Sequence, residues 1–233
     1  MKTYKNIAII GDSIYRGTQV NAEGTKRFFF TDDKYINELT KLYGTNFYNC
    51  SAFGLTTQKV MERKIHIDAI SHNPAPEIAI ISLGGNDCNF DWKQIADNWD
   101  KKNSPSVTEE VYFANMKTII SDIKARGVTP LIISLIPLHI ERYFTTISRL
   151  GDGEKILLWL KSKQILYMWQ ENYNEILHKA AEETQSKFIN IRKFFLNNHE
   201  FDSLYGSDGI HLSQKGYKLL VDNLVREIKQ LDL

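Results

Sequence analysis

The chain has 233 residues, of which 42% are hydrophobic, so it is long enough to bury one substantial core, and we predict a single domain over residues 1–233. Its 29 lysine and arginine residues nearly balance its 28 aspartate and glutamate residues. This balance gives no general electrostatic attraction for nucleic acid or an anionic membrane surface, and it favours small or neutral partners.

The first apolar run, residues 7–10, is too short for the core of a signal peptide and far too short to span a bilayer. No later segment reaches spanning length, so we expect no stable insertion into a membrane. The two cysteines, Cys50 and Cys88, are too few for a disulfide framework and show no metal-ligand spacing. We therefore expect free thiols in a reducing compartment, which favours the cytoplasm. The sequence leaves open whether the chain forms a homo-oligomer.

Five short runs rich in isoleucine, valine and phenylalanine are typical of strands buried in a parallel sheet. The predicted strands are residues 5–10, 46–50, 77–83, 130–136 and 187–191. Longer stretches with helical period separate them, which is the pattern of a doubly wound α/β fold. We therefore predict five parallel strands joined by crossover helices.

Four other stretches carry apolar residues at the spacing of one helical face. Residues 33–43 and 108–126 show this spacing, and the second stretch stops at Gly127, a residue that commonly ends helices. A third stripe runs over residues 166–180, and a C-terminal helix is predicted to begin near Ser213. These stripes favour a packed core over ligand binding.

The least regular stretches are residues 16–31, 89–107 and 137–155, and each begins at or just after the end of a predicted strand. Ligands of open α/β sheets bind in the crevice outside the carboxyl ends of the strands, so we expect these loops to form the walls of a site. Five aromatic residues in or next to them either line a pocket for an acyl chain or a sugar ring, or belong to the core: Phe90, Trp92, Tyr143, Phe144 and Trp159.

The first predicted strand runs directly into Gly11-Asp12-Ser13, which places the Ser13 hydroxyl at a strand-to-helix turn on the carboxyl edge of the sheet. A serine hydroxyl becomes a useful nucleophile when an adjacent base can take its proton. Serine and aspartate are also the preferred residues at helix N-caps, so this motif alone favours an ordinary cap.

Near the end of the chain, Asp208 precedes His211 by three residues. In a turn or at a helix entry, side chains at that spacing project to the same side, so Asp208 can accept the Nδ1–H of His211 and leave Nε2 as a general base. Taken alone, the pair is equally typical of a capping aspartate beside a surface histidine.

The third predicted strand leads into Gly84-Gly85-Asn86-Asp87, where the glycines let the backbone approach a ligand and the Asn86 amide can donate to a developing oxyanion. The second strand is followed by Gly54, whose N–H can donate to an anion if a helix begins nearby. Each fragment alone is also typical of a turn. Independent turns, however, have no reason to supply a nucleophile, a base, a carboxylate and oxyanion donors at one crevice.

Together these fragments resemble four sequence blocks of the SGNH (GDSL-type) hydrolases, in the same order, between residues 7 and 216. The blocks are Gly11-Asp12-Ser13, Gly54 with Asn49 five residues before it, Gly84-Gly85-Asn86-Asp87 and Asp208-Gly209-Ile210-His211. The resemblance implies a flavodoxin-like, three-layer α/β/α fold with a five-stranded parallel sheet.

The resemblance also implies a role for each matching residue. Ser13 is expected to be the nucleophile, His211 the base and Asp208 the acid that orients it. The oxyanion hole is expected to consist of the N–H groups of Ser13 and Gly54 and the side chain of Asn86.

Two aspartates, Asp12 and Asp87, are expected to support the site without taking part in proton transfer, Asp12 by ordering the turn. The segment after the nucleophile, residues 14–17, is bulkier and more basic than the small polar residues common in the family. The resemblance therefore does not fix the shape of the acyl pocket.

The chain is predicted to be a serine esterase that hydrolyses carboxylic esters through an acyl-enzyme, with no metal or organic cofactor. The expected substrates are small acylated or acetylated molecules such as carbohydrate esters. An acyltransferase of the same fold is an alternative, because water and an acceptor alcohol compete for one acyl-enzyme. A metallophosphoesterase, with the glycine-aspartate fragments as metal ligands, and a non-catalytic binding module are further alternatives.

Overall fold

The structure is a computed structural model that describes residues 4–23, 27–29 and 44–230; the helix predicted over residues 33–43 lies outside them. The strands are β1 (Asn6–Gly11), β2 (Thr18–Val20), β3 (Arg27–Phe29), β4 (Asn46–Asn49), β5 (Ile78–Ser82), β6 (Thr129–Ile133) and β7 (Lys187–Ile189). The helices are α1 (Thr57–Glu62), α2 (Ile65–Ile70), α3 (Trp92–Asp97), α4 (Glu109–Ala125), α5 (Ile140–Ile147), α6 (Gly153–Leu160), α7 (Gln164–Glu183), α8 (Arg192–Leu196) and α9 (Gln214–Lys229).

The central sheet has five parallel strands in the order β4-β1-β5-β6-β7, which confirms the five predicted strands. This is the flavodoxin-like order of a doubly wound sheet. The strand order reverses between β1 and β5, where Gly11 is the register partner of Ser82 at the carboxyl ends. Ligands of such sheets bind in the crevice at this reversal, so the topology itself places a site after β1 and β5.

Helices cover both faces of the sheet because the side chains of successive strand residues point to opposite faces. On one face, Ala8 and Ile10 of β1 share a core with α4 and α7. On the other face, Ile7 and Ile9 share a core with α8 and α9. The predicted α/β/α layers and the predicted helices α4, α7 and α9 are therefore confirmed. Within the described parts of the chain, no helix combines the length and the apolar character needed to cross a membrane.

The helices α3, α5 and α6 contribute to a third apolar cluster, separate from the two sheet cores. The prediction that residues 89–107 and 137–155 are irregular is therefore wrong, because α3 and α5 lie within them and α6 begins in the second. The side chains of Asp91 and Asp152 begin α3 and α6 by accepting hydrogen bonds from main-chain N–H groups of the first turn. Each helix has only about two turns, too few for its period to stand out in the sequence.

The stretch over residues 16–31 also differs from the prediction. It was expected to be irregular, but β2 pairs antiparallel with β3, and Thr18 lies opposite Phe29. A short hairpin therefore follows the turn that carries Ser13.

Candidate active site

Ser13 lies in a tight turn directly after β1. Asp12 Oδ1 accepts a hydrogen bond from the Ile14 N–H at 2.9 Å, which orders this turn. Only glycine fits at position 11, because a Cβ there would lie 2.6 Å from the Cβ of Tyr15. The turn leads to β2 and not into a helix, so the predicted strand-to-helix transition at Ser13 is wrong.

The side chains of Ser13, His211 and Asp208 form a continuous hydrogen-bonded chain. His211 Nε2 lies 2.9 Å from Ser13 Oγ, and His211 Nδ1 lies 2.5 Å from Asp208 Oδ2. Asp208 Oδ1 separately accepts from the main-chain N–H groups of Ile210, at 3.1 Å, and His211, at 3.0 Å. When Nδ1 donates to the carboxylate, Nε2 is left to accept a proton from Ser13, as a general base must.

The Asp208 carboxyl is only 1% exposed, and it favours the ionised form all the same. Burial alone would raise its pKa. The hydrogen bond and charge of His211, together with the two main-chain donors, outweigh burial and hold the pKa of Asp208 below its ordinary value. An ionised Asp208 can fix the tautomer of His211 and stabilise the imidazolium that forms when the ring takes a proton.

The loop over residues 205–211 is held against α5. Gly209 has a φ of +73°, and a Cβ there would lie 2.6 Å from the His139 carbonyl oxygen and would overlap the main chain of Tyr143. The His139 N–H donates to the Gly209 carbonyl at 2.9 Å. Arg142 Nη1 donates to three carbonyls of this loop and the turn before it, those of Asp202, Tyr205 and Gly206. The sequence reasoning missed this contact, whose signal was the glycine between Asp208 and His211.

Two of the three predicted oxyanion donors, Ser13 and Asn86, line one cavity. Asn86 lines the same cavity as Ser13, and its Nδ2 donates to the Leu55 carbonyl at 3.1 Å, which leaves a second Nδ2 hydrogen for another acceptor. Gly54 has a φ of +65° and is not among the described residues that line the cavity. Because Leu55 directly follows Gly54, the Asn86 contact connects the segments after β4 and β5.

Other polar side chains connect the same turns. Asn49 Nδ2 donates to the Tyr15 carbonyl at 3.0 Å. Asp87 Oδ1 accepts from the N–H and the hydroxyl of Thr57, and burial raises the pKa of Asp87 to about 6. Burial likewise raises the pKa of Asp12 above its ordinary value. These contacts join the segments after β1, β4 and β5 at one edge of the sheet.

A cavity of about 90 Å³ extends from Ser13 and Asn86 to the apolar cluster of α3, α5 and α6. Of the five aromatic residues predicted for a pocket or the core, four line this cavity: Phe90, Trp92, Tyr143 and Trp159. Phe144 packs against the cluster but is not among the described lining residues. The sequence reasoning missed the contribution of Leu166 and Trp169, which it assigned to a core stripe of α7.

The described residues contain no group of three or more histidine, cysteine or carboxylate side chains that could hold a metal ion. Three histidines outside the hydrogen-bonded chain of Ser13, His211 and Asp208 contact single carboxylates instead, and the longest of these contacts joins His178 Nε2 to Glu182 at 3.7 Å. His66 Nε2 lies 3.0 Å from Asp122, and His139 Nε2 lies 3.1 Å from Asp202.

Comparisons with known proteins address the family and the fold of the chain. Residues 9–219 match the sequence model of the GDSL-like lipase/acylhydrolase family. Many solved structures share the fold, among them the following three. A lipase/acylhydrolase from Enterococcus faecalis is 19% identical, with 97% of this chain and 95% of that chain covered and a TM-score of 0.65. A GDSL-like lipase from Bacteroides thetaiotaomicron is 16% identical, with 97% and 88% covered and a TM-score of 0.62.

The third structure is a variant of an acetyl-xylooligosaccharide esterase from Geobacillus, which is 20% identical. The match covers 99% of this chain and 97% of that chain, with a TM-score of 0.64. None of the curated protein sequences compared matches this chain. At these identities the structural likenesses show the fold alone.

Proposed function

Because the chain belongs to the GDSL-like lipase/acylhydrolase family, we propose that it hydrolyses esters through an acyl-enzyme formed on Ser13, with His211 as the base and Asp208 as the acid that orients it. The observation that carries this proposal is the hydrogen-bonded chain from Ser13 Oγ through His211 to Asp208. His211 is 2% exposed, so it is not the surface histidine that its motif alone would equally predict. A serine that only caps a helix does not require a buried imidazole within hydrogen-bond distance of its hydroxyl.

The reaction begins when His211 Nε2 takes the proton of Ser13 Oγ as that oxygen bonds to the ester carbonyl carbon. The carbonyl electron pair moves onto its oxygen, and the tetrahedral intermediate collapses with loss of the alcohol, which receives the proton from His211. Water then attacks the carbonyl carbon of the acyl-enzyme while His211 takes a proton from it. The Ser13 oxygen leaves with that proton, and the acid is released. Asp208 stays ionised throughout and stabilises the imidazolium in each half of the reaction.

The negative charge of the tetrahedral intermediate requires donors at the same end of the cavity. The Asn86 side chain is the best-supported donor, because it lines the cavity beside Ser13 and its Leu55 contact fixes its orientation. The main-chain N–H of Ser13 is the second proposed donor. The Gly54 N–H completes the set as a proposal that rests on the family resemblance.

We extend the proposal to small acylated or acetylated substrates, including carbohydrate esters. One solved structure with this fold is described as an acetyl-xylooligosaccharide esterase, which supports this choice by likeness alone. An acyltransferase would form the same acyl-enzyme and pass the acyl group to an alcohol. Product analysis in the presence of added sugars or glycerol separates the two, because a transferase makes a new ester where a hydrolase makes a free acid.

The proposal is tested with a panel of aryl esters and acetylated sugars, using wild-type protein and Ser13→Ala. We expect hydrolysis by the wild type, and a loss of at least about 10⁴-fold in turnover for the variant. Activity that survives a strong chelator would also argue against the metallophosphoesterase alternative. A wild-type protein that hydrolyses none of these esters would instead favour the non-catalytic binding module.

A further inference from the structure

The cavity beside Ser13 is walled by side chains that come from outside the sheet. Phe90 and Trp92 lie at the start of α3, Trp159 lies on α6, and Leu166 and Trp169 lie on α7. The rings meet edge to face, with centroids 5.1 Å apart for Phe90 and Trp159 and 6.5 Å apart for Trp92 and Trp159. In each such pair, the edge of one ring covers one face of the other.

Two polar side chains of this wall are engaged by the protein, whereas the Trp169 Nε1–H is buried without a hydrogen-bond partner. Asn89 Oδ1 accepts from both Trp92 Nε1, at 2.9 Å, and the Tyr143 hydroxyl, at 2.8 Å. Gln170 donates to a main-chain carbonyl and accepts from Arg192 Nη1, each at 3.0 Å. Most of the lining side chains are aromatic or aliphatic, so a sugar placed here would bury most of its hydroxyl groups against apolar atoms, whereas a hydrocarbon group needs no polar partner. The lining therefore favours an apolar ligand.

The two sides of Ser13 differ in exposure, and this decides which part of an ester lies on which side. The leaving alcohol must lie beside His211 Nε2 to receive its proton. The Phe53 ring stacks on His211 with centroids 6.2 Å apart, and 47% of Phe53 is exposed, so this side faces solvent. The described residues that line the cavity include Ser13 and Asn86 but neither His211 nor Phe53. The acyl part of the ester therefore points into the cavity.

The volume of the cavity sets the size of that acyl part. One water needs roughly 10–15 Å³ of such space, so a cavity of about 90 Å³ holds about six to nine small groups. We infer that this cavity is an acyl pocket that selects straight apolar chains of about four to eight carbons over acetyl, while the alcohol lies on the exposed side by Phe53. The inference rests on the proposed function and narrows its substrate class. Of the acylated and acetylated molecules proposed there, it favours the longer acyl esters over the acetates, and any carbohydrate would be the alcohol and not the pocket ligand.

A chain-length series of 4-nitrophenyl esters from acetate to dodecanoate tests the inference on the wild type. Each methylene group that enters the pocket should raise kcat/KM by about fourfold until the pocket is full. We expect a maximum near hexanoate, at least about tenfold above acetate, and a fall beyond octanoate. A series that is flat or highest at acetate would overturn the acyl pocket while leaving the acyl-enzyme in place.

Substitutions in the wall should move this maximum. Ile165 is a half-buried residue of α7 that lines the cavity, and the larger side chain in Ile165→Trp should fill part of it. We expect this variant to lower kcat/KM for hexanoate by more than about tenfold and for acetate by less than about threefold. Trp159→Ala should move the maximum to longer chains. The matched controls are Leu158→Trp and Trp99→Ala, whose side chains are 59% and 41% exposed and do not line the cavity, and both should keep the wild-type profile. Equal losses for every ester in Ile165→Trp would overturn the inference.

Binding of intact esters to Ser13→Ala tests the pocket without any turnover, so it separates failure of the pocket from failure of the proposed function. Three tryptophans line the cavity, and their fluorescence should report a ligand there. We expect the hexanoate ester to bind at least about tenfold more tightly than the acetate ester, and Ile165→Trp to remove the difference. Equal dissociation constants for the two esters would overturn the pocket even if Ser13 proves to be the nucleophile.

Discussion

The site around Ser13 has two parts, which are built in different ways. On the sheet side, formed by Ser13, Asp208 and His211, hydrogen bonds to side chains and main-chain N–H groups fix each polar atom. On the helical side, formed by α3, α6 and the start of α7, aromatic rings and aliphatic side chains pack against one another. Directional bonds fix the positions of reacting atoms, whereas packing fixes a volume and tolerates changes of shape. Changes on the sheet side should therefore remove turnover, and changes on the helical side should change which ester is preferred.

The largest effect on the sheet side is expected from Asp208→Asn. Its Oδ1 can still accept from the main-chain N–H groups of Ile210 and His211, so the loop should keep its shape. The new amide would face His211 Nδ1 as a donor and force the ring to carry its proton on Nε2, where it cannot accept from Ser13. We expect kcat to fall by about 10⁴-fold with little change in thermal unfolding.

A matched control is provided by another aspartate–histidine pair, Asp202 with His139. Asp202 lies 3.1 Å from His139 Nε2, and its side chain is 82% exposed. Asp202→Asn should leave kcat within about twofold of the wild type, because exposed ion pairs contribute little. A loss of kcat as large as that of Asp208→Asn would contradict the assignment of Asp208 as the acid that orients the catalytic base.

Asn86→Ala should have the next largest effect. It removes the amide donor beside Ser13 and leaves the relay of Asp208 and His211 intact. Turnover should fall by about 10²–10³-fold, with a similar fold for long and short acyl chains. Steady-state kinetics across the ester series checks this, and a change confined to one chain length would instead assign Asn86 to the helical side.

Gly209→Ala tests the point at which the two sides meet, because Gly209 packs against the start of α5. A Cβ there combines a positive φ with an overlap of the α5 backbone, so we expect a loss of roughly 2–4 kcal/mol in the free energy of unfolding and a lower kcat. Gly127→Ala is the control, since Gly127 has a φ of +75° but nothing within 4 Å of a Cβ. It should cost about 1 kcal/mol in urea unfolding and leave kcat unchanged. Equal costs for the two variants would mean that the loop does not depend on α5.

The smallest effect concerns stability and its dependence on pH. Burial raises the pKa of Asp87 from 3.8 to about 6, so the folded protein binds this proton more tightly than the unfolded chain does. The resulting stabilisation is present below pH 3.8 and is lost as the pH rises through about 6. Asp87→Asn keeps an acceptor for Thr57 without the charge, so its unfolding free energy relative to wild type should rise by about 1 to 3 kcal/mol over that window. Urea unfolding of both proteins at several pH values measures this free energy. A difference between variant and wild type that stays constant with pH would contradict the raised pKa of Asp87.

The sheet side could be predicted well from the sequence. Strands buried on both faces are continuous apolar runs, and residues after their carboxyl ends must meet at one edge, so Ser13 and Asn86 could be placed without a structure. The approach of Asp208 and His211 to Ser13 was expected from spacing and family resemblance together. The turn at Ser13 was predicted wrongly because glycine and aspartate are as compatible with a hairpin entry as with a helix.

The helical side could not be predicted to the same extent. The helices α3 and α6 do begin with the capping aspartates Asp91 and Asp152, but each has six to eight residues and is stabilised by packing against rings that are distant in sequence. Tertiary contacts of this kind leave no local period to detect. The same reason explains why Trp169 was assigned to a core stripe although it also lines the cavity.

The central claim is that Ser13 is a nucleophile activated by His211, and covalent labelling tests it most directly. Wild type, Ser13→Ala and His211→Ala are incubated with a fluorophosphonate, and the adduct is located by peptide mass spectrometry. The predicted result is a single adduct on Ser13 in the wild type, none in Ser13→Ala, and labelling slower by at least about 10³-fold in His211→Ala. An adduct on another residue, or labelling of Ser13 that proceeds equally fast without His211, would contradict the account.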